Sequence, residues 1–129
     1  MSDIDLSGKW SGFFNYPVAL PPVNFEAVLN DVGGRLTGST SEPDRFGRTI
    51  GAVIDGSRQG ASVTFIKMYD AADGEYDVVR YAGTAAAGGD EIEGRWVVAE
   101  NWSGTFLMVR GGRRAEAVEQ KAEEPVRRS

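Results

Sequence analysis

Turn residues punctuate this chain so regularly that a crossover helix has nowhere to go. Gly33-Gly34, Gly56-Ser57 with Gly60, Asp73-Gly74, Gly88-Gly89-Asp90 and Glu100-Asn101 each separate runs rich in β-branched and aromatic residues. The spacing predicts eight strands, over residues 8–16, 23–31, 35–41, 49–55, 62–69, 76–85, 91–99 and 102–110. No run repeats apolar residues at i, i+3, i+4 and i+7 over ten positions, so none reads as an amphipathic helix. Without crossovers, consecutive strands must be antiparallel neighbours. Such strands stack as a sandwich or close into a barrel. The steady hairpin spacing favours a meander, and closure removes the edges that an open meander exposes. The expected fold is therefore all-β, an eight-stranded antiparallel up-and-down β-barrel. Glycine, 17 of 129 residues and about twice average usage, fits the many turns.

The barrel is expected over residues 6–110, followed by a charged C-terminal tail over 111–129. That tail holds five basic and four acidic side chains, with three Ala and two Val as its apolar content. It cannot bury enough surface to offset its ordering entropy, so it reads as disordered or weakly helical, with partner binding as the alternative. The chain has no Cys and no His. Thiol nucleophiles, disulfides, Cys/His zinc sites and any His-based triad are excluded, and neither a metal nor a cofactor is expected. A net charge of −5 argues against nucleic acid or anionic lipid as a partner. No run reaches the ~18 apolar residues of a membrane-spanning helix. The start, Met1 to Leu6, lacks the basic and apolar regions of a secretory signal, so the expected location is cytoplasmic. For the same reason the sequon Asn101-Trp102-Ser103 reads as idle.

Alternation suggests which face is inside. Val23, Phe25, Ala27 and Leu29 share one side of the second strand, and Ile92, Gly94, Trp96 and Val98 one side of the seventh. The fifth, sixth and eighth runs are apolar on both faces. Their second faces, around Ile66, Met68, Val79, Tyr81, Leu107 and Val109, are expected to form an outer apolar patch, and with it a homo-oligomer. The pentapeptides Trp10-Ser11-Gly12-Phe13-Phe14 and Trp102-Ser103-Gly104-Thr105-Phe106 echo each other in the first and last strands, which pair in a closed barrel. Both read as seam residues: a plug Trp, a Gly that lets the strand coil, a core Phe.

The opening strand Leu6-Ser7-Gly8-Lys9-Trp10-Ser11-Gly12 resembles the Gly-x-Trp start of the calycin superfamily of lipocalins, fatty-acid-binding proteins and avidins. Within it, residues 23–40, ending Arg35-Leu36-Thr37-Gly38-Ser39-Thr40, resemble the second avidin hairpin, and Gly94-Arg95-Trp96-Val97-Val98 is similar to the avidin strand that carries a pocket Trp. The resemblance implies an up-and-down barrel whose bottom is closed by Trp10. It also implies a ligand cup, but not its avidin contents. Where avidins hold biotin's polar head group with an Asn and a Ser from the first strand and its loop and with a Tyr, this chain has Gly12 two residues after Trp10 and Thr40 at the Tyr position. Tight biotin binding is not expected.

The candidate ligand-binding residues are Trp10, Phe14, Phe25, Thr40, Phe46, Arg48, Phe65, Lys67, Arg80, Trp96 and Phe106. The aromatic members, with Tyr76, supply apolar walls. Residues 41–48 form the longest internal connection and the candidate lid, in which Phe46 caps an apolar ligand and Arg45 or Arg48 meets a carboxylate. The alternative is a solvated loop whose charges pair with one another. Lys67 and Arg80 each sit mid-strand among apolar residues. Facing inward, either is a buried cation that needs a partner such as Asp55, Glu42 or a ligand carboxylate. Facing outward, each is an ordinary surface charge, and the alternation leaves both directions open. Three functions remain: a non-catalytic barrel that binds a small, partly apolar ligand, a barrel with a filled interior that acts through its outer face, and an isomerase or cyclase using carboxylate, Lys or Tyr. The first is expected.

Overall fold

The computed structural model describes residues 4–43, 46–69, 78–99 and 102–111. Eight antiparallel strands close into one barrel in chain order: β1 (Gly8–Phe14), β2 (Val23–Val32), β3 (Arg35–Pro43), β4 (Thr49–Gln59), β5 (Ser62–Tyr69), β6 (Val78–Ala85), β7 (Glu91–Ala99) and β8 (Trp102–Arg110). The seam joins β1 to β8, with Phe14 opposite Phe106, Gly12 opposite Met108 and Trp10 opposite Arg110. No helix occurs among the described residues, and none therefore is long and apolar enough to cross a membrane. Of the tail, only Gly111 is described, and its N–H donates to the Lys9 carbonyl; residues 112–129, and Tyr76, lie outside the described residues.

Two expected turns are strand instead. Gly56 and Ser57 lie within β4, opposite Leu36 and Arg35. A Cβ on Gly56 would collide with the Thr64 carbonyl and the Phe65 backbone, so this glycine allows close strand approach. The turn itself falls at Gly60, whose φ of +60° suits glycine. Likewise β3 continues to Pro43, which places Glu42 on a strand rather than in a lid.

One end of the barrel is closed. Trp10 is 1% exposed, and its indole N–H donates to the Leu6 carbonyl at 2.9 Å. Arg110 lies over the Trp10 ring at 4.6 Å and donates to the carbonyls of Ser7, Asp5 and Gly89. Asp31 accepts from the N–H groups of Leu6 and Gly34 and from Arg58 Nε at 2.6 Å. Burial alone would raise its pKa, but Arg58 and the two backbone donors outweigh that and hold the carboxyl below its ordinary value. The N-terminal segment is thus pinned across the barrel floor.

Above that floor the interior is packed rather than hollow. Phe65 and Tyr81 stack at 4.8 Å and 11°, and Phe106 meets Tyr81 edge-on at 4.9 Å. This corrects one expectation: Val79 and Tyr81 face inward and belong to the core, not to an outer patch. The register decides it, because Tyr81 pairs with Phe65 and Val79 with Lys67, and directly opposed residues share a face. Ile66 and Met68 do face outward and are half-buried. Leu107 and Val109 also face outward, where they form with Phe13 a second buried apolar cluster along the seam.

Candidate functional site

The opposite end of the barrel, where β1 ends and β8 begins, holds a cavity of about 170 Å³. Its walls are Phe14, Tyr16, Trp96 and Trp102 on one side and Tyr69 and Tyr81 on the other, with Val79 and Val98 between them. The rings brace one another edge to face. Phe14 lies 5.9 Å from Trp96 at 74°, Tyr16 lies 6.1 Å from Trp96 at 89°, and Trp96 lies 6.5 Å from Trp102 at 65°. Such pairs hold their geometry through the ring quadrupoles as well as through burial.

Trp96 is fixed by three local features. It alternates inward with Ile92 on β7, and its indole N–H donates to the Asn15 carbonyl at 2.9 Å. Opposite it on β8 stands Gly104, where a Cβ would strike the Asn15 carbonyl and the indole ring itself. The β7–β8 register then shifts between Val97 and Ala99, next to Val98, which lines the cavity.

Among the described residues, the one charged side chain lining the cavity is Glu42. Its Oε1 accepts from Lys67 Nζ at 3.1 Å, and the Tyr69 hydroxyl lies 3.1 Å from both carboxylate oxygens. A carboxylate has about four acceptor sites, so two donors leave it capacity for another. Lys67 is 1% exposed and sits among four rings, with Nζ 4.9 Å from the centroids of Phe14, Phe25 and Tyr69 and 5.2 Å from Tyr81. Burial lowers the Lys67 pKa, and the neighbouring Glu42 only partly offsets this. Tyr69 and Tyr81 are pushed well above the ordinary phenol range, first by burial and then by the Glu42 charge. Both remain hydroxyls at neutral pH. Among the described residues, the cavity is therefore an apolar aromatic box with a single carboxylate acceptor, whose charge is balanced from beneath by Lys67.

The open choice at Lys67 and Arg80 is thereby resolved: Lys67 faces inward onto Glu42, and Arg80 faces outward along a shallow groove with Asp55, Thr64 and Ile66. Of the other candidates, Phe14 and Trp96 line the cavity, and Phe25 packs against Lys67 below it. Phe65 and Phe106 belong to the packed middle of the barrel, and Trp10 to its closed end. Thr40 is buried on the inner face of β3, two residues deeper than Glu42, and its hydroxyl has no hydrogen-bond partner among the described residues. Phe46 is 71% exposed and stands 5.3 Å from Arg48, so neither lines the cavity as a lid would. Asp44 and Arg45 lie outside the described residues.

Sequence reasoning passed over Tyr16, Tyr69, Tyr81 and Trp102. Tyr69 was within reach, since it alternates with Lys67 and Phe65. Trp102 echoes Trp10 in sequence but lies at the other end of the barrel, because β8 runs antiparallel to β1.

The architecture has a counterpart among solved structures. A de novo designed fluorescence-activating β-barrel superposes with a TM-score of 0.55 at 14% identity, over 81% of this chain and 93% of the design. At that identity the likeness is one of fold. No protein-family model matches the chain, and no curated protein matches it.

Proposed function

We propose that this barrel is a non-catalytic binding protein for a small aromatic ligand, seated in the open-end cavity and donating a hydrogen bond to Glu42. The observation that carries this reading is the box itself: six aromatic residues converge on one carboxylate that retains acceptor capacity. Ligand sites have this character, largely apolar walls with a few polar groups that fix orientation. The size of the cavity sets the ligand class, since about 170 Å³ is close to the ~150 Å³ that holds a benzene molecule in an engineered apolar cavity. A fluorescence-activating design shares the fold, which supports the same use of the architecture. The calycin reading, and a place near the avidins without biotin binding, rests on Trp10 closing the floor and Trp96 lining the cup. A single-ring ligand with a hydroxyl or amine donor fits better than biotin, whose bulk exceeds the cavity.

The test is a titration with phenol and toluene, followed by the emission of Trp96 and Trp102. Phenol is expected to bind about tenfold more tightly than toluene, the worth of one hydrogen bond to a charged acceptor. Glu42→Gln is expected to narrow that gap. Equal affinities, or no change in emission with either probe, would sink the reading.

The packed middle of the barrel favours a second reading, a structural or interaction barrel that works through its outside. Val28, Ser39, Val53, Met68 and Val78 follow one another across β2 to β6 as paired neighbours on the outer face, and Val28, Val53 and Val78 are exposed. This row is the surface through which a homo-oligomer would form. Sedimentation velocity tests it: a monomer at tens of micromolar removes the oligomer from both readings.

A further inference from the structure

Lys67 is more than a counter-charge for Glu42, because its ammonium lies directly behind the cavity wall. Four of the residues it touches, Phe14, Glu42, Tyr69 and Tyr81, are themselves cavity-lining residues. Nζ thus packs directly against the side chains that line the cavity. A lysine desolvated against an apolar pocket is the setting in which an amine becomes nucleophilic. Burial shifts this lysine toward its neutral form, and Glu42 is placed to take the proton.

We propose that Lys67 is a covalent anchor, condensing with the aldehyde of a small aromatic ligand in the cavity to form an imine. This rests on the reading of the cavity as an aromatic-ligand site and adds the reactive group such a ligand carries. In the first step Nζ gives one proton to Glu42, and its lone pair attacks the aldehyde carbon. A proton passes from nitrogen to the former carbonyl oxygen, which gives a neutral carbinolamine. Glu42 then returns its proton to the hydroxyl, which leaves as water while the C=N bond forms. The net change is ammonium plus aldehyde giving protonated imine plus water, with charge conserved and no redox partner. The iminium takes over the ammonium's place between the same rings, and the Glu42 carboxylate remains its counter-ion. An aldehyde carbon carries one hydrogen and needs less room than a ketone, which suits a cavity of about 170 Å³.

The chain has only three lysines, Lys9, Lys67 and Lys121, so peptide mapping separates each of them from the α-amino group, which also reacts. The full chain is incubated with benzaldehyde and cyanoborohydride, digested, and mapped by mass spectrometry, with phenol as a non-reacting competitor. One benzyl group is expected on a lysine, at Lys67, formed several-fold faster than at exposed Lys9, since the cavity holds the aldehyde beside the amine and burial lowers the Lys67 pKa. Phenol is expected to slow labelling at Lys67 and leave Lys9 unchanged. Lys67→Arg, which keeps the charge and cannot form an imine, is expected to abolish the fast label; should it fail to fold, the phenol competition on the native chain decides alone. Lys67 left unlabelled while phenol binds overturns the covalent anchor and leaves the binding reading standing. Failure of both labelling and phenol binding overturns the two together. Labelling of Lys67 that phenol does not slow overturns the anchor as well, because the amine is then reached by another route.

Discussion

Lys67 Nζ lies 3.1 Å from Glu42 Oε1, and the two side chains come from β5 and β3, which do not pair with each other. The contact therefore spans the barrel interior over β4, where Ala52 and Ile54 occupy the inner face between them. It joins the packed core below to the aromatic box above. A buried ion pair of this kind is costly to assemble, since both groups leave water, and costlier to break, since the survivor keeps its charge.

Glu42→Leu alone is expected to destabilise the barrel by about 3–5 kcal/mol, because the ammonium of Lys67 is left without its carboxylate. The double variant Glu42→Leu/Lys67→Met is expected to be neutral, or more stable than the native chain by about 1–4 kcal/mol, since apolar residues then fill the same volume. Urea unfolding of the single and double variants measures the difference. A double variant as damaged as the single would show that the pair is worth more than its desolvation.

At Gly104 a methyl group is expected to act like an oversized core residue. Gly104→Ala drives a Cβ into the Asn15 carbonyl and the Trp96 indole, at a cost of about 1–3 kcal/mol. It should also break the Trp96–Asn15 hydrogen bond, so hydrogen exchange at the Trp96 indole N–H should accelerate. Unchanged exchange would mean that the ring is held by its aromatic neighbours alone.

Arg110 is one of two guanidiniums, with Arg58, that hold the closed end. Arg110→Ala removes its donations to Ser7, Asp5 and Gly89 and its contact over Trp10, and is expected to cost about 2 kcal/mol or more. Arg110→Lys should recover little of this, because an ammonium cannot reach several carbonyls from one plane as a guanidinium does. Thermal melts compare the three chains, and faster exchange at the Trp10 indole N–H would report release of the floor.

Stability should change with pH at both extremes. Asp31 has a lowered folded pKa, so its contribution is present above the unfolded value of about 4 and is lost as pH falls through the depressed one. Asp31→Asn should flatten that acid limb. At high pH two groups oppose each other. The folded Lys67 releases its proton before the unfolded chain does, so stability gains as pH rises through its lowered pKa toward about 10.4. Tyr69 and Tyr81 are raised, so above about pH 10 the unfolded chain ionises where the folded one cannot, and stability falls. Melting temperature against pH should therefore drop above about pH 10. Replacing both tyrosines with Phe should remove most of that drop.

The fold was legible because its signals are local. Turn glycines and alternation mark all eight strands, and the errors fall where a glycine has two uses, as at Gly56 within β4. The site was legible only in part. Phe14, Trp96 and Lys67 stand out by residue type, but the direction of Lys67 depends on its pairing with Val79, which strands apolar on both faces do not reveal. Glu42 reads as a loop carboxylate beside Pro43, until the extended pairing of β3 with β4 turns it inward. Trp102 was misplaced for a similar reason: its local sequence matches that of Trp10, while strand direction puts the two at opposite ends. Register is a long-range property, and short motifs do not carry it.

The most direct test of ligand binding at the open end uses the three indole N–H signals in a proton–nitrogen NMR spectrum, titrated with phenol. Trp96 and Trp102 line the cavity, and Trp10 lies at the closed end as an internal control. The expected result is saturable movement of the Trp96 and Trp102 signals with Trp10 fixed. Signals that stay in place, or three that move together, would contradict a binding site at that end of the barrel.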